Sequence, residues 1–307
     1  MSPVASPYVG ADVAQDSIAF CGPTAATVKN EPAALRAYLR TLPPQAHLIC
    51  EATGRHHRPL QQACAEAARP LSVFNPARAR AFAGSLGQWE KTDPLDAALL
   101  RRLGQERQPA PTPPPAPELQ ALLDLLMLRS ALVADLGAHR CRDLLLTPLA
   151  RRHLRAFLRS LQAQRAAVER SLSAWLDQAP ADWQDRVQTL CLVVGVGVLS
   201  ALQLLAYVPE LGDCNRRQIA KLCGLAPLAC DSGLHRGQRH LRGGRSPARR
   251  VLYQCAVVAA RYNDHLRPVY LRLRAHGKPA KVAYLAVARK LVIFLNALLR
   301  PTPAGSA

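Results

Sequence analysis

Apolar residues follow two different spacings in the first hundred positions of the chain. Short apolar runs predict four β-strands, at Pro7–Val13, Ser17–Cys21, His47–Cys50 and Leu71–Phe74. Apolar residues at helical spacing predict three helices, at Pro32–Leu42, His57–Ala68 and Pro94–Leu103. Strands that alternate with helices are typical of a layered α/β domain, which we assign to residues 1–107.

The pattern changes at residue 108. Gln108–Pro117 holds six prolines in ten positions, so residues 108–117 are predicted to be an extended linker rather than a helix or a central strand. From Glu118 to Gln178, leucine recurs at helical spacing, with an interruption at Pro148. We expect residues 118–178 to form a helical pair or coiled coil, which would serve as a spacer or a dimerisation arm. A plain helical layer of a larger domain accounts for the same pattern.

The rest of the chain is predicted to be a mainly α-helical domain at residues 179–300, followed by a tail at 301–307. Arg249–Tyr262 and Ala280–Leu299 are amphipathic at helical spacing. Val193–Gly197 precedes another helical stretch and fits a helix-hairpin-helix device that holds a DNA phosphate. The run by itself is weak evidence for that device, and a tight structural turn is its preferred interpretation. A segment rich in glycine and arginine interrupts the helices between Asp213 and Ser246.

Positive charge is concentrated towards the end of the chain. The 307 residues carry a formal net charge of +19. Residues 179–307 hold 19 Lys/Arg against 6 Asp/Glu, whereas residues 1–107 hold 12 against 9 and residues 108–178 hold 9 against 6. A concentrated positive field favours a polyanionic partner, most simply nucleic acid.

Cysteine usage and the lengths of the apolar runs indicate a compartment. The nine cysteines include no C-x-x-C pair. Cys214, Cys223 and Cys230 lie near His235 and His240, but at spacings that favour free or buried thiols over a zinc site. No apolar run reaches 18 residues, and the first residues lack the pattern of a signal peptide. We expect a reduced cytoplasm and no membrane partner.

Four carboxylates in the first domain are candidate metal ligands. Asp12 and Glu51 stand at the ends of two predicted strands, and Asp93 and Asp96 stand at the start of a predicted helix. At a spacing of three on a helix, two side chains share a face with about 5–6 Å between their Cβ atoms. Converging carboxylates repel one another unless cations lie between them, and oxygen ligands suit Mg²⁺ or Mn²⁺. Such a site can stabilise the attacking and leaving oxygens of phosphodiester cleavage.

Each of these acids also has a structural interpretation. Asp93 before Pro94 fits an N-cap with proline at the first helical position, and Asp96 then fits a first-turn acid that the helix dipole favours. A single acid after an apolar run is common in turns. The occurrence of all four in this order favours a catalytic role.

The stretch Arg216–Arg250 is strongly basic, and Asp231 is its only acid. Its nine cations are candidate nucleic-acid contacts: Arg216, Arg217, Lys221, Arg236, Arg239, Arg242, Arg245, Arg249 and Arg250. A solvated basic loop is the alternative. Ser232 precedes a glycine within this stretch, where guanidinium groups could activate its hydroxyl and hold a phosphate against it. A serine in a glycine-rich turn is otherwise an ordinary turn residue.

The motifs of the first domain resemble a known family. The runs Val9–Ala14, Glu51–Gly54 and Lys91–Ala97 are similar to the DEDD domain of the insertion sequence 110 family of transposases. That domain is similar to the RuvC Holliday-junction resolvase and has an RNase H-like fold. The resemblance implies that Asp12, Glu51, Asp93 and Asp96 bind the metal.

A second set of motifs is similar to the C-terminal transposase domain of the same family. It comprises Gly224–Pro227, Ser232–Gly233, Arg249–Arg250, Lys278 and Arg289–Leu291. The resemblance implies that Ser232 is the nucleophile. Asp231 departs from the pattern, since its charge would oppose a phosphate unless it acts as a base. Gly243–Pro247 is only loosely like the corresponding run of the family.

The resemblance implies a DNA transposase or recombinase that uses Mg²⁺ or Mn²⁺ and a serine nucleophile. The implied partners are DNA at the element ends and target, a noncoding guide RNA, and further copies of the chain in a dimer or tetramer. Two alternatives remain, a RuvC-like structure-specific nuclease that only hydrolyses DNA and a non-catalytic, transposase-derived nucleic-acid-binding protein. Loss of covalent adducts on Ser232→Ala would exclude the first, and Mg²⁺-dependent breakage that is lost on Asp12→Ala would exclude the second.

Overall fold

The computed structural model describes residues 8–87, 92–142, 146–228 and 240–300. The chain divides into two compact units, Met1–Ala116 and Pro117–Ala307. None of the helices in the described ranges is both long enough and apolar enough to span a bilayer.

Unit 1 is a mixed β-sheet with helices on both faces. Its elements are β1 (Tyr8–Val13), β2 (Ser17–Cys21), β3 (Ala26–Lys29), α1 (Pro32–Thr41), β4 (His47–Glu51), α2 (Arg58–Glu66), β5 (Leu71–Phe74), α3 (Pro76–Ser85) and α4 (Asp93–Arg107). The strand order is β3-β2-β1-β4-β5. The pairs β1–β2 and β2–β3 are antiparallel, and the pairs β1–β4 and β4–β5 are parallel. This architecture agrees with the predicted α/β domain.

Two elements of unit 1 were not predicted from the sequence. β3 is an edge strand that pairs with β2, and none of its residues is buried. Because an edge strand of this kind needs no continuous apolar run, the sequence gives no strand signal there. α3 buries only Ala79 and Phe82, and its other residues are mostly small or charged. Its start is nevertheless well specified, because the side chain of Asn75 accepts a hydrogen bond from the Ala77 amide and Pro76 occupies the first helical position.

The alternation of side chains along β1 and β4 divides the core of unit 1 into two clusters. Val9, Ala11, Leu48 and Cys50 pack on one face with residues of α1 and α2. Ile49 packs on the other face with residues of α3 and α4. Residues two positions apart on a strand share a face, so each strand carries one row of side chains to each pair of helices.

Residues 108–116 of the proline-rich segment form neither helix nor strand, and the segment is hydrogen-bonded to β5. The Thr112 amide donates to the Leu71 carbonyl (2.7 Å), and the Val73 amide donates to Thr112 Oγ1 (3.1 Å). Ser72 Oγ also donates to the Ala110 carbonyl (2.8 Å). The segment therefore covers the outer edge of β5, an edge that would otherwise expose unpaired backbone groups.

Unit 2 is almost entirely helical. Its elements are α5 (Pro117–Arg142), α6 (Pro148–Gln178), α7 (Ala181–Cys191), α8 (Val198–Tyr207), α9 (Arg216–Leu222), β6 (Pro227–Leu228), β7 (His240–Leu241), α10 (Ser246–Tyr262), α11 (Arg267–Ala275) and α12 (Ala280–Leu298). The main core joins residues from α7 to α12. The strands β6 and β7 form a short antiparallel pair.

The helices α5 and α6 pack against each other in antiparallel directions. Arg129 forms an ion pair with Glu169 (2.8 Å), and the rings of His139 and Phe157 are 5.0 Å apart. The sequence suggested a separate segment at 118–178, but the structure places this pair within unit 2. The reason is a shared core, in which Leu122, Leu126, Val168 and Leu172 pack with Ala206 of α8.

The turn between α7 and α8 has a structural explanation. Gly195 has a φ of +107°, and a Cβ there would lie 2.9 Å from the Cβ of Ala259 on α10. The Asn263 side chain also donates to the Val194 carbonyl (3.2 Å). Close packing against α10 therefore accounts for this glycine without a bound phosphate.

Candidate functional site

Two neighbouring strands place Asp12 and Glu51 side by side. β1 and β4 are parallel, and their register pairs Ala11 with Cys50. Asp12 and Glu51 are the next residues of the two strands, at the carboxyl ends of both. Ala11 and Cys50 are fully buried on the α1–α2 side. Because side chains alternate, Asp12 and Glu51 belong to the opposite side, which α4 covers.

The helix α4 lies directly on β1 because Gly10 has no side chain. A Cβ at Gly10 would lie 1.8 Å from the Ala97 carbonyl oxygen and 2.6 Å from the Arg101 amide. One turn further along the helix, Gly104 meets Tyr8. α4 therefore runs antiparallel to β1, with its first turn towards the end of the strand where Asp12 lies.

This packing brings the first turn of α4 to Asp12 and Glu51. Asp93 lies one helical turn before Ala97, about 6 Å along the axis, and Asp12 lies two residues beyond Gly10, about 7 Å along the strand. Asp93 is exposed, and Asp12, Glu51 and Asp96 are half-buried. We call the region formed by these four acids the carboxylate edge. The fold thus brings all four predicted ligands to one end of the sheet.

The start of α4 differs in detail from the sequence prediction. The N-cap is Thr92, which has extended backbone angles, and Asp93 is already the first helical residue. Thr92 makes no side-chain capping hydrogen bond. Asp93 and Asp96 are both first-turn acids, which the dipole of the helix stabilises.

Whether a metal ion suits the carboxylate edge depends on the donor atoms and on the elements that hold them. All four are carboxylates, which Mg²⁺ and Mn²⁺ accept and which zinc sites use less often. In the part of the chain that the structure describes, no group of three or more His, Cys, Asp or Glu side chains is gathered closely enough to hold a metal ion. The packing of the backbone therefore brings the four acids to one end of the sheet, but among the described residues their side chains are not gathered into a metal-binding cluster.

Asn30, at the end of β3, ties together the segments that follow the two strand acids. Its side-chain amide donates to the carbonyls of Ala14 (3.0 Å) and Gln15 (3.4 Å), which follow Asp12. It also donates to the carbonyl of His56 (2.9 Å), which follows Glu51. Sequence analysis missed Asn30, since a lone asparagine before Glu31 and Pro32 gives no sign of a contact 26 residues away.

The loop after Glu51 is basic and partly buried. Burial and the nearby Arg58 lower the pKa of His57. Arg55, His56 and Arg58 line a groove of about 500 Å³ together with Gln15 and Asn30. Cationic and polar groups therefore flank the segments that carry Asp12 and Glu51.

Part of the predicted nucleic-acid interface lies on the surface of unit 2. Arg216, Arg217 and Lys221 are exposed on α9, whose Ile219 and Ala220 are buried in the core. The side chain of Asn215 fixes the start of this helix through a capping box with Gln218. Arg242 and Arg250 are also exposed. These five residues are placed where they can reach a phosphate.

Arg245 and Arg249 have internal roles in the structure. Arg245 makes two hydrogen bonds to the carboxylate of Glu210 (2.5 and 2.7 Å) and one to the Tyr207 carbonyl (3.1 Å). Burial raises the pKa of Glu210, but the hydrogen bonds and charge of Arg245, with a backbone hydrogen bond, outweigh burial and leave that pKa below its usual value. Arg249 Nη1 donates to the carbonyls of Gly224 (3.3 Å) and Gly243 (2.9 Å).

Three of the predicted residues, Ser232, Arg236 and Arg239, lie outside the described residues, as do Asp231, Cys230 and His235. The described ends of this segment are held together, since Pro227 pairs with Leu241 and Leu228 with His240. Gly224 and Gly244 both have positive φ and approach so closely that a Cβ at Gly244 would lie 2.2 Å from the Gly224 amide. The described residues on either side of the segment that contains Ser232 are therefore paired with each other in unit 2.

Cys214 and Cys223, two of the cysteines near His240 in the sequence, lie in the part of unit 2 that the structure describes. Cys214 and Cys223 are free, and burial raises the pKa of Cys223 to about 12. A thiol with a raised pKa is a poor metal ligand, because the thiolate is the form that binds.

Two family models match the chain. A model of the DEDD domain of insertion sequence 110 elements, described as "Transposase", matches residues 9–147. A model described as "Transposase IS116/IS110/IS902 family" matches residues 187–271. The chain is also similar to the "Pilin gene-inverting protein" of Moraxella bovis and to that of Moraxella lacunata. Each is 27% identical over 259 residues, which cover 83% of this chain and 80% of the relative.

Proposed function

The chain belongs to the insertion sequence 110 family of transposases, and we propose that it breaks and rejoins DNA at a divalent-metal site formed by Asp12, Glu51, Asp93 and Asp96. The N-terminal match implies a RuvC-like fold for unit 1 and dependence on a divalent metal. The packing of Gly10 on α4 carries the proposal, because it brings the first turn of that helix to the strand ends of Asp12 and Glu51. Mg²⁺ or Mn²⁺ would supply positive charge at the reacting phosphate.

Different parts of the fold position the two pairs of acids in this proposal. Asp12 and Glu51 stand on paired strands, so their spacing is fixed by the sheet. Asp93 and Asp96 stand on α4, so their distance from the strands depends on how closely the helix packs. The cations of the Arg55–Arg58 loop would hold the DNA strand beside the reacting phosphate.

Asp12→Asn tests the metal site, with Asp16→Asn as its matched control. Asp16 is exposed in the turn after β1 and lies outside the carboxylate edge. We expect Asp12→Asn to reduce Mg²⁺-dependent strand breakage by at least about 100-fold and to abolish the rise in Tm that Mn²⁺ causes in the free protein. Asp16→Asn should preserve both. Breakage by Asp12→Asn at the rate of the unaltered protein would refute the site.

Ser232 is the proposed nucleophile. Its Oγ attacks the phosphorus, a bond from phosphorus to a deoxyribose oxygen breaks, and the hydroxyl proton passes to a base, for which Asp231 is the nearest candidate in sequence. The sugar oxygen leaves with a proton, and attack by a second DNA hydroxyl on the phosphoserine later frees Ser232. No water is consumed. The name of the relatives supports the rejoining step alone, because inversion of a gene requires that every cut strand be rejoined.

Ser232→Ala tests this chemistry, with Ser246→Ala, at the exposed start of α10, as the control. We expect Ser232→Ala to lose the protein–DNA adduct that survives denaturation in detergent, while Ser246→Ala retains it. If Ser232→Ala still cleaves DNA in Mg²⁺, the protein is a hydrolytic RuvC-like nuclease.

The proposed partners follow from the same assignment. As a transposase the protein binds DNA, and Arg216, Arg217, Lys221, Arg242 and Arg250 form the proposed interface. We propose that a noncoding RNA of the element selects the sites and that the active form is a dimer or tetramer in the bacterial cytoplasm. Purification after co-expression with the flanking DNA, followed by RNA sequencing and light scattering, tests both partners.

A further inference from the structure

The end of the helical pair carries a second concentration of positive charge. Residues 139–162 contain six arginines, and Asp143 is their only acid in the sequence. In the described portion of this stretch no residue is fully buried. The pair is anchored further along, where Leu122, Leu126, Val168 and Leu172 are buried. About 20 Å of helix therefore separates the anchored base from the charged end.

Three of these arginines point away from α5. Leu154, Leu161, Val168 and Leu172 recur at helical spacing on the side of α6 that packs on α5. Arg152, Arg155 and Arg159 follow the spacing i, i+3, i+7 on the opposite side and are exposed. We call these three residues the outer arginine face. They line a groove of about 590 Å³ together with Arg151, Leu158 and Gln162.

The outer arginine face differs from the arginines nearer the base of the helical pair, on α5 and α6. Arg129 and Arg165 both form ion pairs with Glu169 (2.8 and 3.7 Å). Arg152, Arg155 and Arg159 have no such acid among the residues that the structure describes. Like charges on one helix face repel one another, so this arrangement is better explained by an anionic partner than by helix stability.

We propose that the outer arginine face binds the backbone of duplex DNA, as a contact additional to the basic segment of residues 216–250. Arg152 and Arg159 are about 10 Å apart along the helix axis, and the same length of duplex carries about six phosphate charges. Duplex DNA fits better than a single strand, because single strands need aromatic side chains for stacking. In this part of α6 the aromatic side chains are His153 and the half-exposed Phe157, whose ring packs edge-on against His139 of α5, so the helix presents no row of rings for successive bases.

The surface would position DNA rather than read its sequence. Guanidinium groups on a rigid helix contact phosphates and carry no base information. A contact at the end of a long helical pair lies far from the base of the pair and so extends the length of duplex that unit 2 can hold. The proposal does not depend on the metal site or on Ser232.

Binding of a fluorescent duplex of about 30 base pairs to the full-length protein in EDTA tests the proposal across a salt series. The variant is Arg152→Gln with Arg155→Gln and Arg159→Gln. The matched control, Arg36→Gln with Arg102→Gln and Arg165→Gln, changes the net charge equally but removes arginines that already pair with Glu66, Glu106 and Glu169. Circular dichroism verifies that both variants are folded.

We expect the outer-face variant to bind about tenfold or more weakly, with a salt slope reduced by about 2–3, and the control to bind as the unaltered protein does. Equal losses in the two triple variants would overturn the proposal, because net charge alone would then explain the effect. So would an unchanged slope in the outer-face variant. A loss confined to a structured RNA probe would assign the surface to RNA and not to DNA.

Discussion

The carboxylate edge and the basic segment are both charged, but they are built on different supports. The acids stand on paired strands and on a helix that touches β1 backbone to backbone at Gly10. The cations stand on the short helix α9, at the start of α10 and on loops, and two of them are engaged internally. In the first region main-chain packing sets the geometry. In the second, each arginine has to be assigned individually to the interior or to the interface.

Gly10→Ala should have the largest effect, since it breaks the packing on which the first region depends. Its Cβ would overlap the Ala97 carbonyl, so α4 must move and carry Asp93 and Asp96 with it. We expect a loss of about 3 kcal/mol in the free energy of unfolding and loss of strand breakage. Urea denaturation measures the first quantity and a cleavage assay the second.

The control for that substitution is Gly84→Ala in α3, where no atom lies within 4 Å of an added Cβ. Alanine is about 1 kcal/mol more favourable than glycine inside a helix, so this variant should be at least as stable as the unaltered protein. If Gly10→Ala is equally stable and active, close packing of α4 does not organise the site.

Asn30→Ala separates the positioning of the acids from the stability of the sheet. It removes three hydrogen bonds to the segments after Asp12 and Glu51. We expect a loss of about 2 kcal/mol in stability and a higher Mg²⁺ concentration for half-maximal activity. A loss of stability with unchanged metal dependence would give Asn30 a purely structural role.

Arg242 and Arg245 test whether exposed arginines of the basic segment bind DNA while internally bonded ones stabilise the fold. Arg245→Gln removes both hydrogen bonds to Glu210 and should cost about 1 kcal/mol of stability, because both side chains are partly exposed. Arg242→Gln should leave stability unchanged, weaken DNA binding and lower the salt slope by about 1. Chemical denaturation and a DNA titration, applied to both variants, should give opposite rankings. Identical effects on DNA binding would show that Arg245 also serves the interface.

The smallest effect concerns pH and unit 1. Ser72 donates its proton to Ala110, so its oxygen accepts from Nε2 of the buried His47 (2.8 Å). Burial lowers the pKa of His47. Below about pH 6.5 the unfolded chain binds a proton that the folded chain does not, so stability should fall from that pH downwards. His47→Gln should make this part of the profile shallower in thermal unfolding, while His57, whose pKa is also lowered, keeps its own contribution. An unchanged slope would show that His47 does not contribute.

Particular elements show where sequence analysis succeeded. The strands that carry Asp12 and Glu51, and the helix that carries Asp93 and Asp96, were predicted because each has its own apolar periodicity. The elements that were missed, β3 and α3, lack such a pattern and gain their places from neighbours. The helical pair was found for the same reason as the strands, but its inclusion in unit 2 depends on Ala206 of α8.

The sequence by itself determined the order of the motifs, the concentration of cations after residue 179 and the local periodicity of most elements. Only the tertiary structure decided that α4 packs on Gly10, that Arg245 faces Glu210 and that residues 110–112 cover the edge of β5. The physical reason is the separation of the contacting residues along the sequence. Periodicity and turn chemistry act within a few residues of the chain, whereas these contacts join segments from 35 to 87 residues apart, whose meeting depends on how whole elements pack.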